Sequence, residues 1–225
     1  MKGKLIALEA GDGSGKGTQA EKLYKRLTAE GYHTKKVEFP NYGSGSSALI
    51  KMYLNGEFGS DPNEVNPYIA STFYTVDRYA SYKKEWEEFY NKGGIIIADR
   101  YTTANMVHQA AKITNDIERE NYINWLLHFE FTLFQLPAPD LVIFLDMPPE
   151  YSRVLINGRV NKLGEEEKDI HERNYEYIVK SYHNARKIAE RHKWRRINCV
   201  AGGRLRDIEE IHKEIYQVVR DIVLV

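Results

Sequence analysis

Cysteine is nearly missing from this chain: Cys199 is the one thiol in 225 residues. An intramolecular disulfide and a cysteine-built zinc site are thereby excluded, and a lone cysteine in an apolar stretch reads as inert core. The seven histidines include no H-x-x-x-H pair and stand in no nucleophile motif with serine or cysteine. No run approaches the roughly 18 apolar residues of a membrane helix. The N-terminus lacks the apolar core and cleavage pattern of a secretory signal, so a cytoplasmic protein without membrane contact is expected. Net charge is missing too, with 32 basic against 32 acidic residues. No global field draws the chain to nucleic acid, and any basic site must be local. Internal repeats, low-complexity tracts and linkers are absent. With 42% hydrophobic residues the sequence can build one sizeable core, and a single domain over 1–225 is expected.

What the sequence has is a glycine-broken stretch near its start, Leu5-Ile-Ala-Leu-Glu-Ala-Gly-Asp-Gly-Ser-Gly-Lys-Gly-Thr-Gln19. An apolar strand-length run, glycines at 11, 13 and 15, then Lys16 at a helix start form a phosphate cradle. Glycines let backbone N–H groups turn onto phosphate oxygens, the helix dipole favours the anion, and lysine adds a point charge. The fit to G-x-x-x-x-G-K-[ST] is imperfect. Ala10 stands where the first glycine belongs, Gly17 replaces the hydroxyl residue, and Thr18 comes one place late. Gly11, Gly13, Ser14, Gly15, Lys16, Gly17 and Thr18 are the expected donor-phosphate residues.

Downstream, helical spacing of Ala20, Leu23 and Leu27 predicts a helix over 18–30, and Thr34 to Phe39 reads as a strand. A short helix toward Leu54 and a long aromatic helix from Asn66 to about Tyr90 follow. Ile95-Ile-Ile-Ala98 is a β-branched run suited to a buried parallel strand. Helices are expected over about 102–113 and 117–135, a strand over 141–145 and a helix opened by Pro148-Pro149-Glu150. The polar stretch from Asn157 to Lys168 reads as a lid or surface loop. A charged helix over about 169–192, a strand near 195–200 and a helix over 207–219 complete the chain. Five apolar runs alternating with helices predict an α/β fold with a five-stranded parallel sheet flanked by helices. Ligands in such sheets sit beyond the carboxyl ends of the strands, where the glycine loop, Phe39-Pro40, Asp99-Arg100 and Asp146 all fall.

This inventory suits phosphoryl transfer, which needs neutralised charge and in-line positioning. Lys16 and the loop amides can hold donor phosphates, Asp99 can hold Mg²⁺ through water, and Arg100 can grip an acceptor phosphate bidentately. Alternatively, Asp99-Arg100 is a structural ion pair at a strand end. Arg153, Arg159, Lys162, Lys168 and Arg173 are candidate lid cations, with Arg159 best placed beside Gly158. His108 is either a pocket residue or a satisfied core histidine.

The combination of Leu8-Glu9-Ala-Gly-Asp12-Gly-Ser-Gly-Lys16-Gly-Thr-Gln19, Phe39-Pro40, Tyr74-Thr-Val-Asp-Arg78, Asp99-Arg100-Tyr101 and Phe144-Leu-Asp146 with Pro149-Glu150 resembles the thymidylate kinases over nearly the whole chain. The loop alone would equally suit an adenylate kinase. The resemblance implies the P-loop nucleoside monophosphate kinase fold with a lid at about 157–168, Mg²⁺ as cofactor, ATP as phosphoryl donor, dTMP as acceptor and a homodimer. It further implies Asp12 near the acceptor's 3′-hydroxyl, Tyr74 stacked on thymine and Arg78 hydrogen-bonded to the base. Phe39 falls beside the acceptor, Arg100 on its phosphate, Asn105 against thymine's edge and Gln109 one turn on. Thr18 can reach phosphate and metal. Gly13 follows the acid where some members carry a loop arginine, which directs the catalytic cation to the lid and to Arg159.

The departures bear on the acceptor. Tyr42 stands where an arginine often contacts acceptor phosphate, His108 and Ala110 replace a usual Tyr and Gly, Ala104 replaces a frequent Ser, and Leu155 replaces a common adenine-side Arg. Two rivals to dTMP phosphorylation follow: a kinase for another deoxynucleotide or deoxynucleoside, and a non-catalytic nucleotide-binding regulator.

Overall fold

A computed structural model describes residues 2–156 and 170–224. Five strands form one parallel sheet: β1 (Lys4–Glu9), β2 (Thr34–Glu38), β3 (Ile95–Asp99), β4 (Leu141–Asp146) and β5 (Arg195–Asn198), in the order β2-β3-β1-β4-β5. The expected α/β architecture is therefore present. Both faces of the sheet are covered, which explains why its central strands are unbroken apolar runs. On one face Ile6, Leu8, Ile97, Ile143 and Leu145 pack under α1 (Lys16–Ala29) and α10 (Ile208–Ile222) through Leu23, Leu27, Ile211, Ile215 and Val219. On the other, Leu5, Ala7, Ile96 and Ala98 meet Phe39, Trp86, Tyr90 and Tyr101.

Several helices depart from the sequence expectation for physical reasons. The long aromatic helix runs as α3 (Pro67–Ser81), a wide turn over Tyr82–Trp86 and α4 (Glu87–Asn91). Tyr82, Trp86 and Tyr90 recur every four residues, a spacing that drifts about 40° per step on a regular helix. The wider turn absorbs the drift and keeps all three rings buried, with Trp86 4.6 Å from Tyr82 and 6.2 Å from Tyr90 between centroids. A second wide turn, His128–Leu133, ends α6 (Asp116–Leu127) and carries Glu130 inward. The helix expected over 102–113 is α5 (Thr102–His108) with a tighter turn over Ala110–Lys112.

The remaining helices are α2 (Ala48–Leu54), α7 (Pro149–Ile156), α8 (Ile170–Arg173) and α9 (Tyr175–Arg191). The charged helix expected over 169–192 is thus split at Asn174, whose side chain caps α9 by accepting from the Tyr177 N–H at 3.0 Å. The last strand stops at Asn198 rather than Val200, because a two-stranded ribbon follows: β6 (Val200–Ala201) and β7 (Arg204–Leu205), turned by Gly202-Gly203 with both φ positive. Among the described residues no helix is long and apolar enough to cross a membrane.

Candidate active site

The carboxyl ends of the central strands place three buried acids, Glu9, Asp99 and Asp146, along one edge of the sheet, and the glycine loop lies over the first two. Gly15 stands at the N-cap of α1 with φ +78, a conformation costly for other residues. It offers no side chain to cap the helix, and the first turn of α1 carries no acid. Among the described residues no side chain caps the first N–H groups of this 14-residue helix, a ready anion site. Ser14 is buried beside them and its Oγ has no partner among the described residues.

Lys16, the first residue of α1, is 5% exposed and its ammonium donates to the Asp99 carboxylate. Gly17 gains a physical reason here. A Cβ at that position would sit 3.1 Å from Asp99 Oδ2, so a serine would press on the carboxylate that Lys16 occupies. Asp99 and Thr18, with the loop, offer the oxygen donors that Mg²⁺ prefers when phosphate and water complete its shell. Among the described residues no cluster of three or more His, Cys, Asp or Glu could hold a metal by itself.

Arg100 organises the other half of the site. Its backbone sits at φ +66, outside the usual range for a side-chain-bearing residue, and is tied by its N–H to the Leu8 carbonyl at 3.1 Å. The guanidinium donates from Nη1 to Glu9 Oε1 and the Ala10 carbonyl, both at 3.1 Å, and from Nη2 to Asp12 Oδ1 at 2.6 Å. Burial works against its charge, but Asp12, Glu9 and Asp99 outweigh that and hold its pKa above the ordinary arginine value. Glu9 is fully buried, accepting from the Ala10 N–H and the Thr103 hydroxyl, each at 2.9 Å. Burial pushes its carboxyl pKa up against the pull of Arg100 and Lys16.

His108, on the last turn of α5, completes this cluster. Its Nε2 lies 3.0 Å from Arg100 Nη1. Guanidinium only donates, so Nε2 accepts and Nδ1 carries the proton. Burial, reinforced by Arg100, lowers its pKa to about 3, so the ring is neutral. Of the two expectations for His108, the structure supports the pocket residue: with Gly11, Asp12, His171, Tyr177 and Ser181 it lines a cavity of about 30 Å³. Its Nδ1 and Ser181 Oγ have no partner among the described residues.

The remaining expected residues divide. Tyr74 is half-buried on α3 and packs with Tyr42 and Phe73 against the cluster of Ile50, Tyr53, Leu54 and Ile170. Asn105 and Gln109, one turn apart, are 2% and 1% exposed, and Asn105 Nδ2 and Gln109 Oε1 lack partners among the described residues. Arg78 has a protein partner. It is 1% exposed, donates from Nε to Glu130 Oε2 at 2.8 Å and from Nη2 to Oε1, while the Thr75 and Thr102 hydroxyls also donate to Glu130. Phe39 lies in the core, 1% exposed and 5.8 Å from the Tyr101 ring, so it supports the loop that follows rather than opening onto the site. Arg159, Lys162, Lys168 and the expected lid at 157–168 lie outside the described residues.

Sequence reasoning missed Glu9, Thr103, Glu130 and His171 as parts of this network. Glu9 and Glu130 carry a usable signal, an acid inside an apolar run (Leu5-Ile-Ala-Leu-Glu9; Phe129-Glu-Phe131), which calls for a buried cation. Thr103 and His171 carry none.

A model of the thymidylate kinase family matches residues 8–215. The chain is 28% identical to a probable thymidylate kinase of Pyrococcus horikoshii, covering 100% of this chain and 99% of that one. It is 30% identical to a thymidylate kinase of Mycobacterium tuberculosis over 173 residues, 76% of this chain and 79% of the relative. The solved thymidylate kinase of Candida albicans superposes with a TM-score of 0.70 at 22% identity, over 98% of this chain and 92% of the other, a likeness of fold.

Proposed function

Because the chain belongs to the thymidylate kinase family, we infer that its loop and Arg100 cluster transfer the γ-phosphoryl of ATP to dTMP, giving dTDP and ADP. The observation that carries this reading is the pairing of a helix N-terminus without a side-chain cap with an arginine at the adjoining strand end, linked through Lys16 and Arg100 to the buried carboxylates of Asp99 and Glu9. Phosphoryl transfer asks for a donor cradle and an acceptor clamp in line with each other, with charge supplied in advance.

Each residue takes a role its surroundings suit. The amides of Gly11, Gly13, Ser14, Gly15, Gly17 and Thr18 bind donor phosphates. Lys16 exchanges the Asp99 carboxylate for the transferring phosphoryl. Arg100 exchanges Asp12 for the acceptor phosphate, which leaves Asp12 for the sugar 3′-hydroxyl. An unphosphorylated nucleoside gives Arg100 nothing to exchange. Tyr74 offers a stacking face for thymine, and the buried orphan donor of Asn105 and acceptor of Gln109 suit a base edge. Arg78 reaches the base only as a group whose Nε and Nη2 are already held by Glu130. Phe39 shapes the acceptor side through the loop it anchors. Asp99 and Thr18 would help hold Mg²⁺, which would supply neutralisation of the phosphate oxygens. Arg159, in a lid at 157–168 of a single kinase domain, supplies the transition-state cation.

We place the protein in the cytoplasm as a homodimer. The exposed stripe of Ile69, Val76 and Tyr79 on α3, with Leu133 beside it, supports a second copy packed there. Light scattering after size exclusion checks this, and a monomer at micromolar concentration refutes it. For the reaction, ADP release coupled to NADH oxidation is measured over a panel of nucleosides and monophosphates. The reading expects dTMP to be preferred; silence with dTMP while another nucleotide turns over overturns it.

A further inference from the structure

Among the described residues, Lys112 has its amino group held without a carboxylate. It closes the tight turn after α5 and donates to the Tyr53 hydroxyl at 2.9 Å and the Val65 carbonyl at 3.0 Å, with Nζ 5.1 Å from the Tyr53 ring centroid. Among the described residues no ion-pair partner approaches it, and burial lowers its pKa to about 7, with Asp61 pulling the other way through space. Such a placement is a poor stabilising device. An apolar chain of the same length would fill the space without the desolvation cost.

The lysine stands at the end of a continuous line of contacts. In its charged form, which prevails below about pH 7, Nζ only donates, takes one of the two lone pairs of the Tyr53 oxygen and so biases the Tyr53 hydroxyl to donate to His171 Nε2, 2.9 Å away. His171 is buried on α8, and its ring lies parallel to His108 with centroids 6.1 Å apart and 14° between planes. Tyr177, 4.8 Å from the His171 ring, donates its hydroxyl to the His108 carbonyl at 2.9 Å. His108 in turn accepts from Arg100, which donates to Asp12. Tyr53 comes from α2, Lys112 from the turn after α5, and His171 from α8.

We propose that Lys112 is a positioning residue for the acceptor: through Tyr53 it sets the orientation of His171, and the His171–His108 stack sets the guanidinium of Arg100. The proposal rests on the acceptor role of Arg100. Lys112 touches no substrate and no reacting atom, and its effect is confined to the side of the site that holds the monophosphate. The donor cradle, built from backbone and Lys16, stands outside this line.

The test uses the full-length enzyme with Lys112→Met and Tyr53→Phe, the second keeping the ring and removing only the hydroxyl link. Each variant raises the KM for dTMP about tenfold, with the KM for ATP and kcat within about twofold, and the double variant does no more than either single one. In parallel, long-range ¹H–¹⁵N spectra of the histidine rings, recorded without nucleotide, show the His171 nitrogens shifted in both variants. A dTMP KM within twofold of wild type, an equal rise in the ATP KM, additive single effects, or unmoved His171 nitrogens each overturn the proposal. A wild-type enzyme that ignores dTMP refutes the acceptor reading instead, and the His171 spectra still read the Lys112 link by themselves.

Discussion

The two halves of the site are built in opposite ways. On the proposed reading the donor half is one contiguous stretch, Gly11 to Thr18, in which backbone amides supply the binding groups and Lys16 adds the positive charge. The proposed acceptor half is assembled from side chains on β1, the loop, the residue after β3, α5 and α8: Glu9, Asp12, Arg100, His108 and His171. A backbone cradle tolerates changes in its side chains provided the chain can turn, which is why Ala10 and Gly17 leave it workable. A side-chain wall has no such tolerance, because each group is held by another. A departure in the wall, such as His108 where the sequence resemblance leads one to expect a tyrosine, therefore changes what Arg100 itself contacts.

Removing the donor cation gives the largest expected effect. Lys16→Ala should lower kcat by roughly three orders of magnitude in the ADP-release assay. Turnover near wild type would mean that the backbone cradle suffices and that the contrast between the halves is drawn in the wrong place. Next in size is the buried pair beneath the acceptor side. Glu130→Ala strands the Arg78 charge and should cost about 3–5 kcal/mol in denaturant unfolding. A loss below about 1 kcal/mol would show that Arg78 finds another partner and is available to a base.

Protonation separates the halves more finely. His108 has its pKa lowered to about 3, so between there and the unfolded value near pH 6.5 the unfolded chain binds a proton that the folded one refuses. Stability from this source is present above about pH 6.5 and lost as pH falls toward 3. His108→Phe should flatten that acid limb by up to about 1.4 kcal/mol per pH unit, and an unchanged slope would contradict the neutral ring. The smallest effect belongs to Lys112. Its folded pKa, lowered to about 7, lies below the unfolded one, so its burial cost is full below about pH 7 and is relieved as pH rises toward the unfolded pKa. Wild type should therefore gain stability relative to Lys112→Met above pH 7. A difference that stays level from pH 6 to 9 would contradict the buried ammonium.

Much of the fold was legible in the sequence, for reasons that differ by element. The strands Ile95–Asp99 and Leu141–Asp146 announce themselves because both faces are buried and their apolar runs are continuous. Lys16 follows from the helix start after the glycine loop, and Asp99 and Arg100 from the end of β3. The helix over 66–90 hid its wide turn, because a four-residue aromatic spacing is compatible with a regular helix until Trp86 must be buried. Gly17 looked like a flaw until the carboxylate of Asp99 appeared 3.1 Å from its missing Cβ. Glu130, His171 and Lys112 act through partners 52, 63 and 59 positions away, at Arg78, His108 and Tyr53, and no local pattern encodes such pairings.

The measurement that bears most directly on the division between donor cradle and acceptor wall is Arg100→Ala, assayed for dTMP efficiency and, separately, for ATP binding by calorimetry. The expected result is a fall in kcat/KM for dTMP of about 100-fold or more with the ATP dissociation constant within about twofold. An equal loss in both would show that Arg100 serves the two halves together, and the division would fail.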